Sequence, residues 1–424
     1  MTQPPIEASQ PFSKALPTLF LVAFVFLVIF LCRVIFSPLL PSIQAEMGFS
    51  HSQAGRLFFF LAVGGGMGLL SNGFVSRVLI HRQTITLSVL FSGLALLITS
   101  QSLGYVSLAA CMVVTGWASG LYLPSGLATV TSVASAKDWG KALAVHDIAP
   151  NLSFLLAPLL AESVLYFASW RATLLVLGTA QILSAVIFNV FGKGGATHGQ
   201  APNPKVFAYI VKQPAFWIFV AFFSMAIGMG LGLYSMLPLY LISDHQFQRE
   251  TANQLLALSR ITGLFGTFVS GYFTDRLGAK RTLAFYFVFA GASSALLGLS
   301  RGPLLVVAVF IQSVAATCFF PAGLTALSKA FTEEFRSVAV SLIIPVAILF
   351  GQGLVPAMLG YLGQQGVFYL GFVIMGCILV TGVMPLPFLK FLQETDPDYS
   401  GAKFAPAVNL SLNPDKPNRT SKQN

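Results

Sequence analysis

Along this chain, apolar runs of about twenty residues recur twelve times, each near the length an α-helix needs to cross a hydrocarbon core about 30 Å thick. The runs fall at 16–42, 53–75, 83–101, 105–131, 140–166, 171–191, 214–242, 252–274, 281–299, 303–329, 336–362 and 366–391. The segments between them are short and polar, as turns between packed helices are. One break is longer. Gly192 to Gln213 is rich in Gly, Pro and Lys and reads as a linker between six runs and six runs. Residues 1–14 and 392–424 are polar, and the second of these tails, with its prolines, is expected to be disordered. The pattern predicts an all-α membrane protein of twelve spanning helices. Its parts are an N-terminal tail (1–14), a six-helix bundle (15–191), a linker (192–213), a second six-helix bundle (214–391) and a C-terminal tail (392–424).

Composition sharpens this. A chain of 424 residues could hold two or three soluble domains, but 55% hydrophobic and 9% charged residues exclude that. A net charge of +10 would suggest nucleic acid in a soluble protein. In a membrane protein it is the excess of Lys and Arg that holds loops on the cytoplasmic side, and no nucleic-acid partner is implied. With the N-terminus inside, the cytoplasmic loops carry Arg77, Arg82, Lys137, Lys141, Lys193, Lys205, Lys212, Arg276, Lys280, Arg281, Lys329 and Arg336; the other side carries Arg56, Arg171, Arg249 and Arg301. That asymmetry predicts a cell-membrane protein, of a bacterial inner membrane, with both termini cytoplasmic. The four cysteines (Cys32, Cys111, Cys318, Cys377) all lie inside apolar runs, without disulfide or metal spacing, and no cofactor is implied.

The two halves repeat. Pro41 in LLPSI matches Pro238 in MLPLY, 197 residues on; Gly73 matches Gly271, 198 on; LPSGL at 123–127 matches FPAGL at 320–324, 197 on. Landmarks on the first, second and fourth helices of each half at one offset imply two similar bundles related by an axis along the membrane normal. Such an arrangement puts a binding site between the halves near the bilayer midplane.

The most informative polar stretch is GYFTDRLGAKR, Gly271 to Arg281, between the eighth and ninth runs. It resembles the loop signature of the major facilitator superfamily, with Gly271, Asp275, Arg276, Gly278, Lys280 and Arg281 matching. A Gly there lets backbones approach, Asp275 can sit against a helix N-terminus or a cation, and the basic residues hold the turn inside. The first-half copy is degraded: Gly73 and Arg82 remain, but Arg77 and Ile80 replace the Asp and the second Gly. Trp170-Arg171 and the spacing of Gly116 and Gly120 also resemble the superfamily, although Met112 stands in place of its customary Arg. Ala157-Pro158 is a reduced form of the antiporter signature of the fifth helix, which speaks against drug:proton antiport. The resemblance covers residues 15–391. It implies the superfamily fold and secondary transport by alternating access, carried out by a monomer in the lipid bilayer.

Ionisable residues deep in the runs are few, and each costs about 2.5–3.5 kcal/mol at mid-bilayer on insertion scales unless it faces a cavity or a partner. Arg33 lies about 12 Å along the first helix from Pro41. By resemblance its level lines the central cavity; otherwise it snorkels to the interface. Arg260 lies fifteen residues before Asp275, close to the membrane centre. Its placement resembles that of substrate-binding residues in sugar, nitrate and monocarboxylate carriers, with a structural ion pair as the alternative. His146 and Asp147 precede Pro150 in the fifth helix; adjacent residues point about 100° apart, so only one can face a cavity squarely. By resemblance Asp147 faces substrate. A carboxylate there, pulled between desolvation and a nearby Arg, suits proton binding and release, with His146 as its companion or as no more than a packed polar residue. Asp147 as simple neutraliser of Arg33 or Arg260 is the other reading. Asn151, Tyr122, Tyr234, Gln312 and Gln352 are the polar and aromatic residues that could complete a pocket, of which Asn151 and Tyr234 are the chosen substrate contacts.

Two guanidinium groups against one carboxylate leave a positive cavity that attracts an anion and repels a cationic drug. Arg pairs with carboxylate or phosphate through charge-assisted hydrogen bonds worth roughly 1.5–3 kcal/mol each. The expected function is therefore proton-coupled symport of a small organic anion, most simply a carboxylate. The alternatives are an exporter of drugs or metabolites on the same fold, and a membrane sensor that binds without transporting. An enzyme is not expected, and no phosphate-cradling Gly-Lys-Ser/Thr loop is present to drive an ATP pump.

Overall fold

The computed structural model describes residues 11–199 and 204–392. Among these, eleven helices are long and apolar enough to cross a membrane: Phe12–Met47, His51–Val78, His81–Thr99, Tyr105–Val133, Ala136–Leu165, Trp170–Phe191, Pro214–Ser243, Ala279–Leu299, Pro303–Ala330, Phe335–Gln364 and Phe368–Phe388. The twelfth crossing is Arg249–Leu277, 29 residues and about 43 Å long at 1.5 Å per residue. Arg260 and the interspersed Ser, Thr and Gly residues dilute its apolar run below that of the others. In chain order it is the eighth span. The first helix begins at Phe12, so the end of the expected N-terminal tail is helical. Most of that tail, residues 1–10, and residues 393–424, where disorder was expected, lie outside the described residues.

Proline placement explains where the spans bend. Pro lacks a donor for the carbonyl four residues earlier and clashes with it. The fourth span breaks at Leu121, next to the carbonyl that Pro124 leaves free, and the tenth breaks at Cys318, next to the one that Pro321 leaves free. The two breaks are 197 residues apart, the offset already seen in sequence. The first span is interrupted at Ile35, one turn before Pro38–Leu39. In the second half two spans instead widen into π-helical turns, Gly228–Gly232 in the seventh and Leu349–Leu354 in the eleventh.

Segment 192–213 is more than a tether. His81 and Arg82 donate backbone N–H bonds to Thr197 and Gly195 (3.1 and 3.0 Å), and Gly199 donates to Ser76 (2.8 Å). Arg82 also reaches the Gly192 carbonyl through its guanidinium (3.2 Å). The segment then forms a short helix, Pro204–Val211, whose Tyr209 meets Phe335 of the eleventh span at 5.2 Å. In the signature loop, Gly278 at φ +83° is the one residue between the eighth and ninth helices, a conformation that favours glycine. Asp275 is exposed, and Arg276 turns back over Tyr272 at 5.0 Å rather than pairing with it. A Cβ at Gly271 would meet no atom within 4 Å, so the close approach expected there is not made in this conformation.

The halves meet along two faces that repeat each other. Glu162 of the fifth span pairs with Arg249 of the eighth at 3.1 Å. At 198 residues' offset, the positions matching Glu162 and Arg249 are Gly360 and His51, and these also touch: a Cβ at Gly360 would lie 2.3 Å from the His51 carbonyl. One interface is closed by an ion pair; its twin is closed by backbone packing and by a hydrogen bond from the His51 N–H to Gln364 Oε1 at 3.1 Å. Near the axis, Ser37 Oγ donates to the Tyr234 carbonyl at 2.7 Å. These residues are 197 apart, and repeat-equivalent positions in contact must lie beside the axis that relates the halves. The contacts continue inward to Gly66 against Pro345 and to Phe154 against Arg260. Closer to the end that carries the termini, Asp147 and Ile148 of the fifth span and Phe265 and Phe268 of the eighth are exposed. The contacts between the halves named here lie toward the end away from the termini, while Gly271 near the other end makes no close approach.

Candidate functional site

Arg260 sits at the inner end of these contacts. Its side chain is buried, 6% exposed, and its guanidinium carbon lies 4.7 Å from the Phe154 ring centre and 4.6 Å from that of Tyr234. The two rings meet edge to face at 4.8 Å, and Tyr234 Oη donates to the Phe154 carbonyl at 3.3 Å, which fixes both around the cation. Ring faces attract a desolvated cation by about 2 kcal/mol, but they are only weak acceptors for its N–H groups. Nε and Nη2 of Arg260 are buried without a partner. Among the described residues no carboxylate pairs with it; the four ion pairs join Lys141–Asp138, His146–Asp147, Arg171–Glu46 and Arg249–Glu162.

Arg33 approaches from the first span. Its Nη2 donates to Gln352 Oε1 of the eleventh span at 2.5 Å, and its Nε is buried and unpartnered. Gly65 of the second span lies beside it: a Cβ there would be in ordinary contact with Nη2, at 3.4 Å. One turn before Arg33, Phe30 packs on Phe154 at 5.5 Å. Arg260 of the second half lies against Phe154 and Tyr234, and Arg33 of the first half lies one turn along the first span from Phe30, which packs on the same Phe154 ring.

The fifth span separates its two titratable neighbours as helical geometry requires. His146 is fully buried against the first and fourth spans, stacked on Phe26 at 4.3 Å, with Nε2 3.2 Å from Tyr122 Oη. Asp147 is exposed, 67% at the side chain, and its Oδ1 lies 3.1 Å from His146 Nδ1. Seven residues separate Asp147 from Phe154, two turns and about 10.5 Å along the same helix face. That face is the one Phe154 turns toward Arg260, so Asp147 stands on the same wall below it, with half-buried Asn151 between. Asp147 neutralises neither arginine in this conformation.

Of the sequence candidates, Arg260 and Tyr234 are in contact, Arg33 lies one turn along the first span from Phe30 at the edge of the same cluster, Asp147 and Asn151 lie one to two turns below Phe154, and His146 points elsewhere. Gln352 joins Arg33, while Gln312 instead binds the Met229 carbonyl at 2.9 Å. Phe30 and Phe154 were not singled out; the useful signal was that Phe154 follows Asp147 by about two turns. Glu162 was missed because a carboxylate near a helix end reads as solvated. An apolar groove of about 500 Å³, lined by Trp217, Met225, Phe350, Leu354, Met358 and Met375, holds none of these residues.

The model of the Major Facilitator Superfamily matches residues 22–300 and 241–421. The chain belongs to this superfamily. Among curated relatives, a cis,cis-muconate transport protein of Acinetobacter baylyi is 24% identical over 394 residues, 85% of this chain and 91% of its own. A probable sulfoacetate transporter of Cupriavidus necator is 22% identical over 409 residues, 88% and 93% of the two chains. A probable hexose phosphate transport protein of Chlamydia pneumoniae is 22% identical over 276 residues, 57% and 60%. Among solved structures, a peptide transporter in complex with sulfate superposes with a TM-score of 0.74 at 16% identity, covering 92% of this chain and 98% of its own. A bacterial homologue of the lysosomal transporter Spinster, inward-facing, gives 0.70 at 15% identity, covering 90% and 96%. These structures share the fold. The superfamily member described here is a multi-pass membrane transporter and not an enzyme.

Proposed function

We propose that this transporter carries a small organic anion bearing carboxylate, taken between Arg33 of the first half and Arg260 of the second. The single observation that carries the reading is Arg260, buried between Phe154 and Tyr234 with Nε and Nη2 lacking acceptors. A buried guanidinium without an acceptor forfeits charge-assisted hydrogen bonds of roughly 1.5–3 kcal/mol each, and a carboxylate supplies them bidentately. Muconate and sulfoacetate, the compounds named for two relatives, each bear two acidic groups on a short carbon frame. A dianion of that form matches one arginine from each half beside an aromatic cluster. Asn151 and Tyr234 orient it.

Asp147, exposed on the wall that leads to Arg260, is the proton-coupling carboxylate, and His146 at 3.1 Å is its partner. Protonation of Asp147 removes a negative charge from the path of an anion, so proton and anion travel together as symport. The chain acts as a monomer in the cell membrane, its two bundles (15–191 and 214–391) rocking about the axis at Ser37 and Tyr234, with the signature residues Gly73, Arg82, Gly271, Asp275, Arg276, Gly278, Lys280 and Arg281 at the moving end. Both termini face the cytoplasm, so the end near Gly271 faces inward.

The test is uptake into proteoliposomes of labelled cis,cis-muconate, sulfoacetate, a hexose phosphate and nitrate at two pH values. One of the two carboxylates is expected to be accumulated, faster with an inward proton gradient, and Arg33→Gln and Arg260→Gln are each expected to abolish its binding. Wild-type affinity in both variants would overturn the anion reading.

A further inference from the structure

Gln352 is fully buried, and it sits inside the π-helical turn Leu349–Leu354. That turn faces the π-helical turn of the seventh span through glycines. A Cβ on Gly232 would lie 2.4 Å from the Gly351 carbonyl, and one on Gly351 would lie 2.6 Å from the Gly228 nitrogen. Insertions of this kind recur at functional sites, and here the extra residue in the turn sets the direction in which Gln352 points. Its Oε1 accepts from Arg33 Nη2 at 2.5 Å, across the boundary between the halves. The amide oxygen is therefore the acceptor that a ligand oxygen would otherwise supply to the same guanidinium.

We propose that Gln352 is a specificity-determining residue which competes with the substrate for Arg33, and that the Arg33–Gln352 bond is a tie between the halves released only by a stronger acceptor. A neutral amide gives a weaker bond to a guanidinium than a carboxylate does. A neutral carbonyl compound gains nothing by replacing it, whereas an anion does. The same exchange frees the eleventh span from the first, so arrival of charge is coupled to permission to rock. The identity of the displacing ligand rests on the anion reading above; the tie itself does not.

The test needs no ligand. Spin labels at Val78→Cys and Leu277→Cys, on the ends of the second and eighth spans, report the separation of the halves in the full chain with Cys111, Cys318 and Cys377, the cysteines that are not fully buried, replaced. Without ligand, the wild-type background is expected to show one long-distance population. Gln352→Ala is expected to add a shorter one, with the ratio of the two moved about two- to tenfold, the range for loss of one hydrogen bond. Gln352→Glu, which strengthens the tie, is expected to keep the single population. Arg33→Met removes the tie from its other end and reproduces the Gln352→Ala distribution, which keeps the test open if one variant folds poorly. In parallel, phenylglyoxal is expected to modify Arg33 two- to tenfold faster in Gln352→Ala and slower in Gln352→Glu, read by peptide mass spectrometry. A purely structural role would move the Ala and Glu variants in the same direction, and that result, or an Ala variant identical to wild type, would overturn the proposal. Failure of the uptake assay with this distance pattern intact would remove the anion reading and leave the tie.

Discussion

Replacing Glu162 with Gln should open the end of the molecule that this structure shows closed. Glu162 accepts from Arg249 Nε and Nη2 at 3.1–3.4 Å and from Asn253 Nδ2 at 2.5 Å, and Asn253 also donates to the Pro38 carbonyl at 3.2 Å. One carboxylate thus draws the fifth, eighth and first spans together. Exposed ion pairs are worth about 0–1 kcal/mol, and breaking a buried one costs about 3–5 kcal/mol. The side chains here are 34% and 16% exposed, between those limits, and about 2 kcal/mol is the appropriate figure for this pair. Gln retains an acceptor for Asn253 and loses the charge. The closed arrangement should therefore lose about 2 kcal/mol relative to the alternative, roughly a thirtyfold shift in their ratio. Ser235 is buried near the axis, with its hydroxyl bonded only within its own helix, to Leu231 at 2.7 Å, so Ser235→Cys is a mild reporter. In a chain lacking the four native cysteines, a membrane-impermeant maleimide applied from the side away from the termini should label it about thirtyfold faster with Glu162→Gln. An unchanged labelling rate would show that the ion pair does not hold this end closed.

The matching interface offers an independent check by sterics. Gly360→Ala places a Cβ 2.3 Å from the His51 carbonyl and 3.0 Å from Gly55 backbone atoms, which cannot yield as a side chain would, so about 1–3 kcal/mol of strain should fall on the closed arrangement. Labelling of Ser235→Cys should again accelerate, while Gly271→Ala, which meets no atom within 4 Å, should leave it unchanged. Asp147→Asn should abolish substrate-dependent proton uptake in proteoliposomes while exchange of substrate continues; proton uptake at the wild-type ratio would remove Asp147 from the coupling step.

Much of the architecture was legible because a membrane imposes a simple code. All twelve spans read as apolar runs of membrane length, and the eighth is the least apolar because Arg260 and its Ser, Thr and Gly residues dilute it. The breaks at Leu121 and Cys318 follow from Pro124 and Pro321 by the lost hydrogen bond, and their common offset follows from the repeat. The paired π turns were not foreseen, since local sequence in the seventh and eleventh spans reads equally well as continuous helix.

The chain by itself determined that there are twelve crossings in two repeated halves, and that Arg33, Arg260, Asp147 and His146 are the charges that need an explanation. Cost alone makes a deep charge conspicuous. What only the tertiary structure decided is which of them meet, and by what means. Phe30 and Phe154 are two among 39 phenylalanines, and a helix apolar on all sides carries no mark distinguishing the ring that faces a cation from the ring that faces lipid. Whether His146 or Asp147 turned inward depended on the rotation of the fifth span against the first. That Arg33 should find Gln352, 319 residues away, and that Arg260 should find two rings and, among the described residues, no carboxylate, depended on how the halves pack. Periodicity governs what a helix offers, and packing across the axis governs what it is offered to.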